Sequence, residues 1–237
     1  MSIRFVDVLE FSKEFIYDVL WPKKCIKCNK IIPIGKKEAL CGECESGVLM
    51  NSSIVIEPDR YFEEVHSALP YEEHVRKYMI DYKFHSFKYL RYAFSKAVEK
   101  IVEGRDFLDT HKIICPVPIH HMRDREYNQS LLIAEELSEK FSLELCPDLL
   151  IKTKNLKPMS AMGYAMRQAS IPGAIDFNLC YDVYGKNVIL VDDIYTTGST
   201  ADECAKILRM HGCENVIVLT SCYRDVTKGD VYFADAD

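Results

Sequence analysis

The chain has 237 residues, 48% of them hydrophobic and 28% charged, with a net charge of −6. That is enough for one sizeable core and a small appendage, and it excludes a disordered chain or one coated in nucleic-acid-binding surface. No apolar run approaches the roughly 18–20 residues that span a bilayer, so the sequence reads as a cytoplasmic protein that does not span a membrane.

Residues 5–20 place Phe5, Val8, Leu9, Phe15, Ile16, Val19 and Leu20 near one helical face, and Pro22 stops the helix. Asp7, Glu10, Lys13, Glu14 and Asp18 interrupt this apolar face, which argues against a signal-peptide core. The stretch 22–47 has no strand or helix period. It holds Cys25-Ile-Lys-Cys28 and Cys41-Gly-Glu-Cys44 among the lysines 23, 24, 27, 30, 36 and 37. In a reducing compartment two such knuckles supply four thiolates for a tetrahedral Zn²⁺, a closed structural site with no position for a reacting water. A redox pair is the other use of Cys-x-x-Cys, but it needs one knuckle and not two. The expected role of the metal is to fold residues 20–50, outside the chemistry. Residues 50–64 read as a connector, which puts a domain boundary near 56: a helix and cysteine module over 1–56, and an α/β domain over 57–237.

Val65–Tyr71 is expected to be a short strand, and His74–Phe84 and Phe87–Val102 to be helices. Ile113–Ile119 is a β-branched run that frays at Pro116 and Pro118, and Asn128–Phe141 has helical spacing. Leu149–Gly173 is polar and holds Pro158, Gly163, Pro172 and Gly173, as a long functional loop would. Within it, 151–173 carries Lys152, Lys154, Lys157 and Arg167 and no acid, and is expected to close over a bound ligand. Such basic stretches meet phosphates or are simply solvated, and charge alone leaves both readings open. Asn187–Val191 is a continuous apolar strand, Ser199–His211 a helix and Asn215–Ser221 a second buried strand. This alternation predicts a mostly parallel sheet with helices on both faces. Of the remaining cysteines, 115, 146, 180, 204, 213 and 222 fall in or beside predicted core elements and read as inert packing.

The strongest local signal is Val188-Ile-Leu-Val-Asp-Asp-Ile-Tyr-Thr-Thr-Gly-Ser-Thr200. A buried strand ends on two adjacent carboxylates, then a glycine turn opens a helix. Ligands of open α/β sheets bind beyond the carboxyl ends of the strands. A glycine turn at a helix start aims N–H groups at one spot, and the hydroxyls of Thr196, Thr197, Ser199 and Thr200 add donors. Asp192 and Asp193 suit vicinal hydroxyls as acceptors. The plain alternative is a capped strand–helix join.

This segment resembles the signature by which type I phosphoribosyltransferases bind 5-phosphoribosyl-1-pyrophosphate (PRPP). The resemblance implies Asp192 and Asp193 on the ribose hydroxyls and Thr196, Thr197, Gly198, Ser199 and Thr200 around the 5′-phosphate. With Val117-Pro-Ile-His-His-Met-Arg-Asp-Arg-Glu-Tyr-Asn-Gln-Ser130 and the cysteine knuckles, the chain resembles the competence-associated ComF family over about residues 5–222. It departs at Glu126 and Tyr127, where Gly and Phe are usual, and at Met159, where Gln is common. The family pattern implies pyrophosphate-side roles for Lys83, Arg125 and Arg167, and site roles for Asn128 and Gln129. It also implies Mg²⁺ arriving with PRPP, and a setting in DNA uptake with single-stranded DNA and competence proteins as partners. Thr196 stands where purine-salvage enzymes carry an acid, so a 6-oxopurine acceptor is disfavoured. The function the resemblance implies is transfer to an unidentified acceptor. A non-catalytic single-stranded-DNA-binding factor and a PRPP-sensing regulator are the other readings.

Overall fold

The computed structural model describes residues 19–20, 22–119, 126–152 and 175–224. The expected helix over 5–20 lies outside this set except for Val19 and Leu20, which are helical and exposed. Arg125, Arg167 and the greater part of the 151–173 loop also lie outside it.

The cysteine stretch is compact and short of regular structure, with one five-residue helix, α1 (Gly42–Ser46). The segment read as a connector contains a strand, β1 (Ser53–Val55). There follow β2 (Glu64–Pro70), α2 (Glu73–Phe84), α3 (Arg91–Val102), a single turn α4 (Phe107–Thr110) and β3 (His111–Pro116). Next come α5 (Gln129–Phe141), β4 (Glu144–Leu145), β5 (Leu150–Lys152) and β6 (Ile175–Phe177). The chain closes with β7 (Asn187–Tyr195), α6 (Ser199–Met210) and β8 (Asn215–Tyr223). Six strands form one sheet in the order β1-β2-β8-β7-β3-β4, parallel throughout except for the β1–β2 pair. β5 and β6 form a separate antiparallel pair, so the start of the expected loop is a strand, paired with one just beyond the loop's expected end at Gly173. The mostly parallel sheet flanked by helices is as the sequence predicts.

Alternation along the strands divides the core into two. Ile114, Ile189, Val191, Ile217 and Leu219 turn to the face covered by α2, α3 and α5. Ile113, Cys115, Val188, Leu190, Val216 and Val218 turn to the face covered by α6, through Ala201, Cys204, Ala205 and Leu208. Burying each Ile, Leu or Val side chain contributes about 1.5–3 kcal/mol. Among the described residues the cysteine module has no separate core. Cys25, Ile26, Ile32, Ala39, Leu40 and Val48 join the first cluster together with Tyr78, Met79 and Tyr82 of α2. The Tyr78 hydroxyl also donates to Asn29 Oδ1 at 2.9 Å, tying the first knuckle to α2.

β7 runs four residues past the expected end at Val191, because it stays paired with β8 as far as Tyr195 opposite Tyr223. Asp192 and Asp193 therefore still belong to the sheet. Among the described residues no helix is long and apolar enough to cross a membrane.

Candidate functional site

The carboxyl ends of β7, β8 and β3 and the starts of α5 and α6 converge on Asp192 and Asp193. Strand alternation sends Asp193 to the face of Ile189 and Val191, and Asp192 to the face of Val188 and Leu190. A ligand engaging both must straddle the strand tip. Asp193 is almost fully covered, and its Oδ1 lies 2.9 Å from Lys83 Nζ. Lys83 sits in the last turn of α2, where the negative end of the helix also favours a cation. Asp192 Oδ1 accepts from Ser130 Oγ at 3.3 Å and from the Asp193 amide at 2.8 Å.

Burial, and then the neighbouring Asp193 charge, push the Asp192 carboxyl up to about 7, against the pull of the Asp193 amide, Lys83 and Ser130. The linkage has a definite sign. A carboxyl whose folded pKa is raised binds more protons folded than unfolded between about pH 4 and 7, so stability falls as pH rises through that window. Asp192→Asn removes this penalty. The variant should melt above the parent protein at pH 8, with the gap closing towards pH 4. A thermal denaturation series against pH checks it, and a gap independent of pH would contradict the assignment.

The Tyr127–Ser130 element builds the wall beside Lys83. Asn128 caps α5, its Oδ1 accepting from the amides of Ser130 and Leu131, while its Nδ2 donates to the Val117 carbonyl at 3.0 Å. Gln129 Nε2 donates to the Lys83 carbonyl at 3.2 Å, and the Tyr82 hydroxyl donates to the Gln129 carbonyl at 3.0 Å. The Tyr127 hydroxyl, absent from the phenylalanine usual at this place, donates to the Tyr82 carbonyl. Asn128 and Gln129 thus act here on the backbone: Asn128 fixes the start of α5 to the chain just after β3, and Gln129 holds it to the end of α2, where Lys83 faces Asp193.

The 196–200 turn has exposed hydroxyls on Thr196, Thr197 and Ser199, and Thr200 is half-buried. Gly198 adopts φ +73°, and a Cβ there would lie 2.7 Å from the Tyr195 hydroxyl, so this turn requires glycine on both counts. Sequence reasoning missed a group that grips the turn from the supposed connector. Arg60 Nη2 donates to the Thr197 carbonyl at 2.9 Å, and its Nε lies 2.6 Å from Glu57 Oε2. Glu57 Oε1 accepts from the Tyr195 hydroxyl at 2.7 Å. The Tyr61 amide donates to Asp202 Oδ1 at 2.8 Å. The two pair with each other locally, but their partners at the turn, Thr197 and Tyr195, lie more than 130 residues away, so no local pattern could have tied them to the site.

The sulfur atoms of Cys25, Cys28, Cys41 and Cys44 lie within 4.8 Å of one another, Cys28 and Cys41 at 3.7 Å. Tetrahedral zinc with Zn–S bonds of about 2.3 Å sets its sulfurs about 3.8 Å apart, so the cluster has the size for that ion. Burial raises the Cys25 thiol, but the amides of Cys41, Cys28 and Lys27 outweigh it and bring it down to about 7. Amides directed at its sulfur suit a thiolate at Cys25, whereas burial raises the thiols of Cys28 and Cys44. These cysteines are free of disulfides.

Residues 128–236 match the phosphoribosyl transferase domain. The chain is 30% identical over 122 residues to Competence protein F of Haemophilus influenzae, covering 48% of this chain and 53% of that protein. It is 30% identical over 111 residues to DNA utilization protein YhgH of Escherichia coli K12, covering 46% and 48%. The chain therefore spans about half the length of the curated relatives it matches. An adenine phosphoribosyltransferase of Thermoanaerobacter pseudethanolicus overlaps it with a TM-score of 0.38 and 14% identity, over 75% of this chain and 98% of that one. The domain match and the curated relatives bear out the ComF resemblance and the phosphoribosyltransferase type of fold.

Proposed function

We propose that the chain binds PRPP across the tip of β7 and transfers its phosphoribosyl group to an acceptor still to be identified, in a pathway of DNA uptake. The observation that carries the reading is the meeting of Asp192, Asp193 and Lys83 with the Gly198 turn at the carboxyl end of a parallel strand. The relatives are named for competence and for DNA utilization, and that setting is extended here to this chain.

In this reading the ribose hydroxyls donate to Asp192 and Asp193, and the 5′-phosphate takes the hydroxyls and N–H groups of Thr196–Thr200. Asp193 can reach a ribose hydroxyl only by sharing or leaving Lys83. The released ammonium then faces the pyrophosphate, where a cation stabilises the charge that develops as the C1–O bond breaks. Arg125 and Arg167, taken from the family pattern, would add further positive charge; both, and residues 153–173 of the stretch expected to close over the ligand, lie outside the described residues. Mg²⁺ would come with the pyrophosphate and neutralise it further. Zn²⁺ on Cys25, Cys28, Cys41 and Cys44 is structural, because four protein thiolates leave no open position. The organisation we favour keeps 1–56 as a module on the 57–237 fold, with the described cysteine stretch packed into the core of that fold.

The test is pyrophosphate release from PRPP and Mg²⁺, measured with and without single-stranded DNA. Release supports transfer or hydrolysis. Binding of PRPP without release makes the chain a sensor, and salt-dependent DNA binding with no PRPP binding makes it a DNA-binding factor.

A further inference from the structure

The Thr197–Gly198 peptide decides whether the turn can receive an anion. A trans peptide is planar, with its C=O and N–H on opposite sides. Fixing the Thr197 carbonyl on one side fixes the Gly198 N–H on the other. If this peptide flipped, a carbonyl oxygen would stand where an anion must come. Gly198, at φ +73°, has no Cβ and tolerates φ of either sign, so its own backbone preference does little to hold the peptide in one orientation.

We infer that Arg60 is a positioning residue for the phosphate turn: it pins the Thr197 carbonyl and so aims the Gly198 amide and the first turn of α6 at a ligand phosphate. The inference rests on the PRPP reading given above. The guanidinium makes three directed contacts, to the Thr197 carbonyl at 2.9 Å, to Glu57 Oε2 at 2.6 Å and to Asp202 Oδ2 at 3.5 Å. Each contact has a separate use. Glu57 holds the guanidinium in plane and also anchors the Tyr195 hydroxyl, against which Gly198 packs. Asp202 lies in the first turn of α6, where an unpaired carboxylate would repel a phosphate. Arg60 and the Tyr61 amide bind its two oxygens, and its own amide donates to the Gly198 carbonyl at 2.8 Å. A lysine, with one compact ammonium, cannot reproduce a planar fork on three acceptors. The 57–61 segment is therefore part of the site although it supplies no group to the ligand.

The experiment compares the parent protein with Arg60→Ala and Arg60→Lys, using PRPP and ribose 5-phosphate in calorimetry and the Gly198 amide in NMR relaxation. Arg60→Ala should weaken both ligands by the same factor, about tenfold, because both present the 5′-phosphate. Arg60→Lys should recover only part of that. The Gly198 amide of the ligand-free variants should show exchange broadening absent from the parent. Unchanged affinity in a folded Arg60→Ala protein, or an unchanged Gly198 signal, overturns the inference. If Arg60→Ala does not fold, Arg60→Lys decides on the same readouts. A parent protein that binds neither ligand refutes the PRPP reading instead, and the Gly198 signal still tests the pinned peptide.

Discussion

Asp192→Ala combined with Asp193→Ala should lower PRPP affinity by at least about tenfold while the protein stays folded. Each carboxylate offers a ribose hydroxyl a charge-assisted hydrogen bond, about 1.5–3 kcal/mol apiece, and about 1.4 kcal/mol is one decade of affinity. The stability side runs the other way for Asp192, whose half-buried carboxyl is held above its ordinary range by desolvation and the Asp193 charge, so its loss does not endanger the fold. Removing Asp193 strands Lys83, now only 15% exposed at its side chain, without its 2.9 Å partner. An unpaired cation near the strand tip attracts pyrophosphate more strongly, which works against the expected loss. The tenfold figure is for that reason a lower bound taken over two lost acceptors. Calorimetry with the parent and the double variant measures it directly, and equal affinities would refute the placement of the ribose at this strand tip.

Elemental analysis should find one zinc per chain in the parent protein and none in Cys28→Ser, and that substitution should lower stability by on the order of 5 kcal/mol or more. Structural zinc is worth about 10–16 kcal/mol in isolated finger peptides, and a serine oxygen is a poor fourth ligand. The sequence alone suggested a loss confined to residues 20–50. The packing argues for a wider one, since Cys25, Ile26 and Leu40 are fully buried in the same cluster as Met79 and Tyr82 of α2. Loosening the knuckle also releases the Asn29–Tyr78 hydrogen bond, five residues before Lys83 on the same helix. Thermal denaturation of the parent, of the chelator-treated parent and of Cys28→Ser should show the last two melting together and well below the first. Parent protein free of zinc, or a variant as stable as the parent, would contradict the assignment.

What was legible in the sequence follows from how far each signal reaches along the chain. β7, α6 and β8 could be read because a continuous apolar run, a glycine turn and a helical period are all local. The pairing of the two acids with the turn was legible for the same reason. β1 was not: its three residues are half-buried, exposed and half-buried, and only antiparallel pairing with β2 makes them a strand. β5 looked like the start of a loop because its partner, β6, lies across residues 153–174. Lys83 was recoverable only through family resemblance, since a lysine in the last turn of a helix is ordinary. Tyr127, taken as a departure, proves to add a hydroxyl that bonds the backbone just before Lys83. Arg60 and Glu57 carried no signal at all, because their roles exist only once β2 and β7 are brought into one sheet.

The two edges of that sheet have a consequence for how the protein meets its neighbours. Among the described residues the six-stranded sheet ends in β1 on one side, three residues long, and β4 on the other, two residues long. A long flat edge invites strand addition from another chain, and short edges are a common defence against it. A peptide or a second copy approaching either side finds room for two or three rungs of a ladder, too few to register stably. Sheet extension is thus a poor route to association or to aggregation for this fold, and the long central strands β7 and β8, which would template it best, are enclosed on both sides.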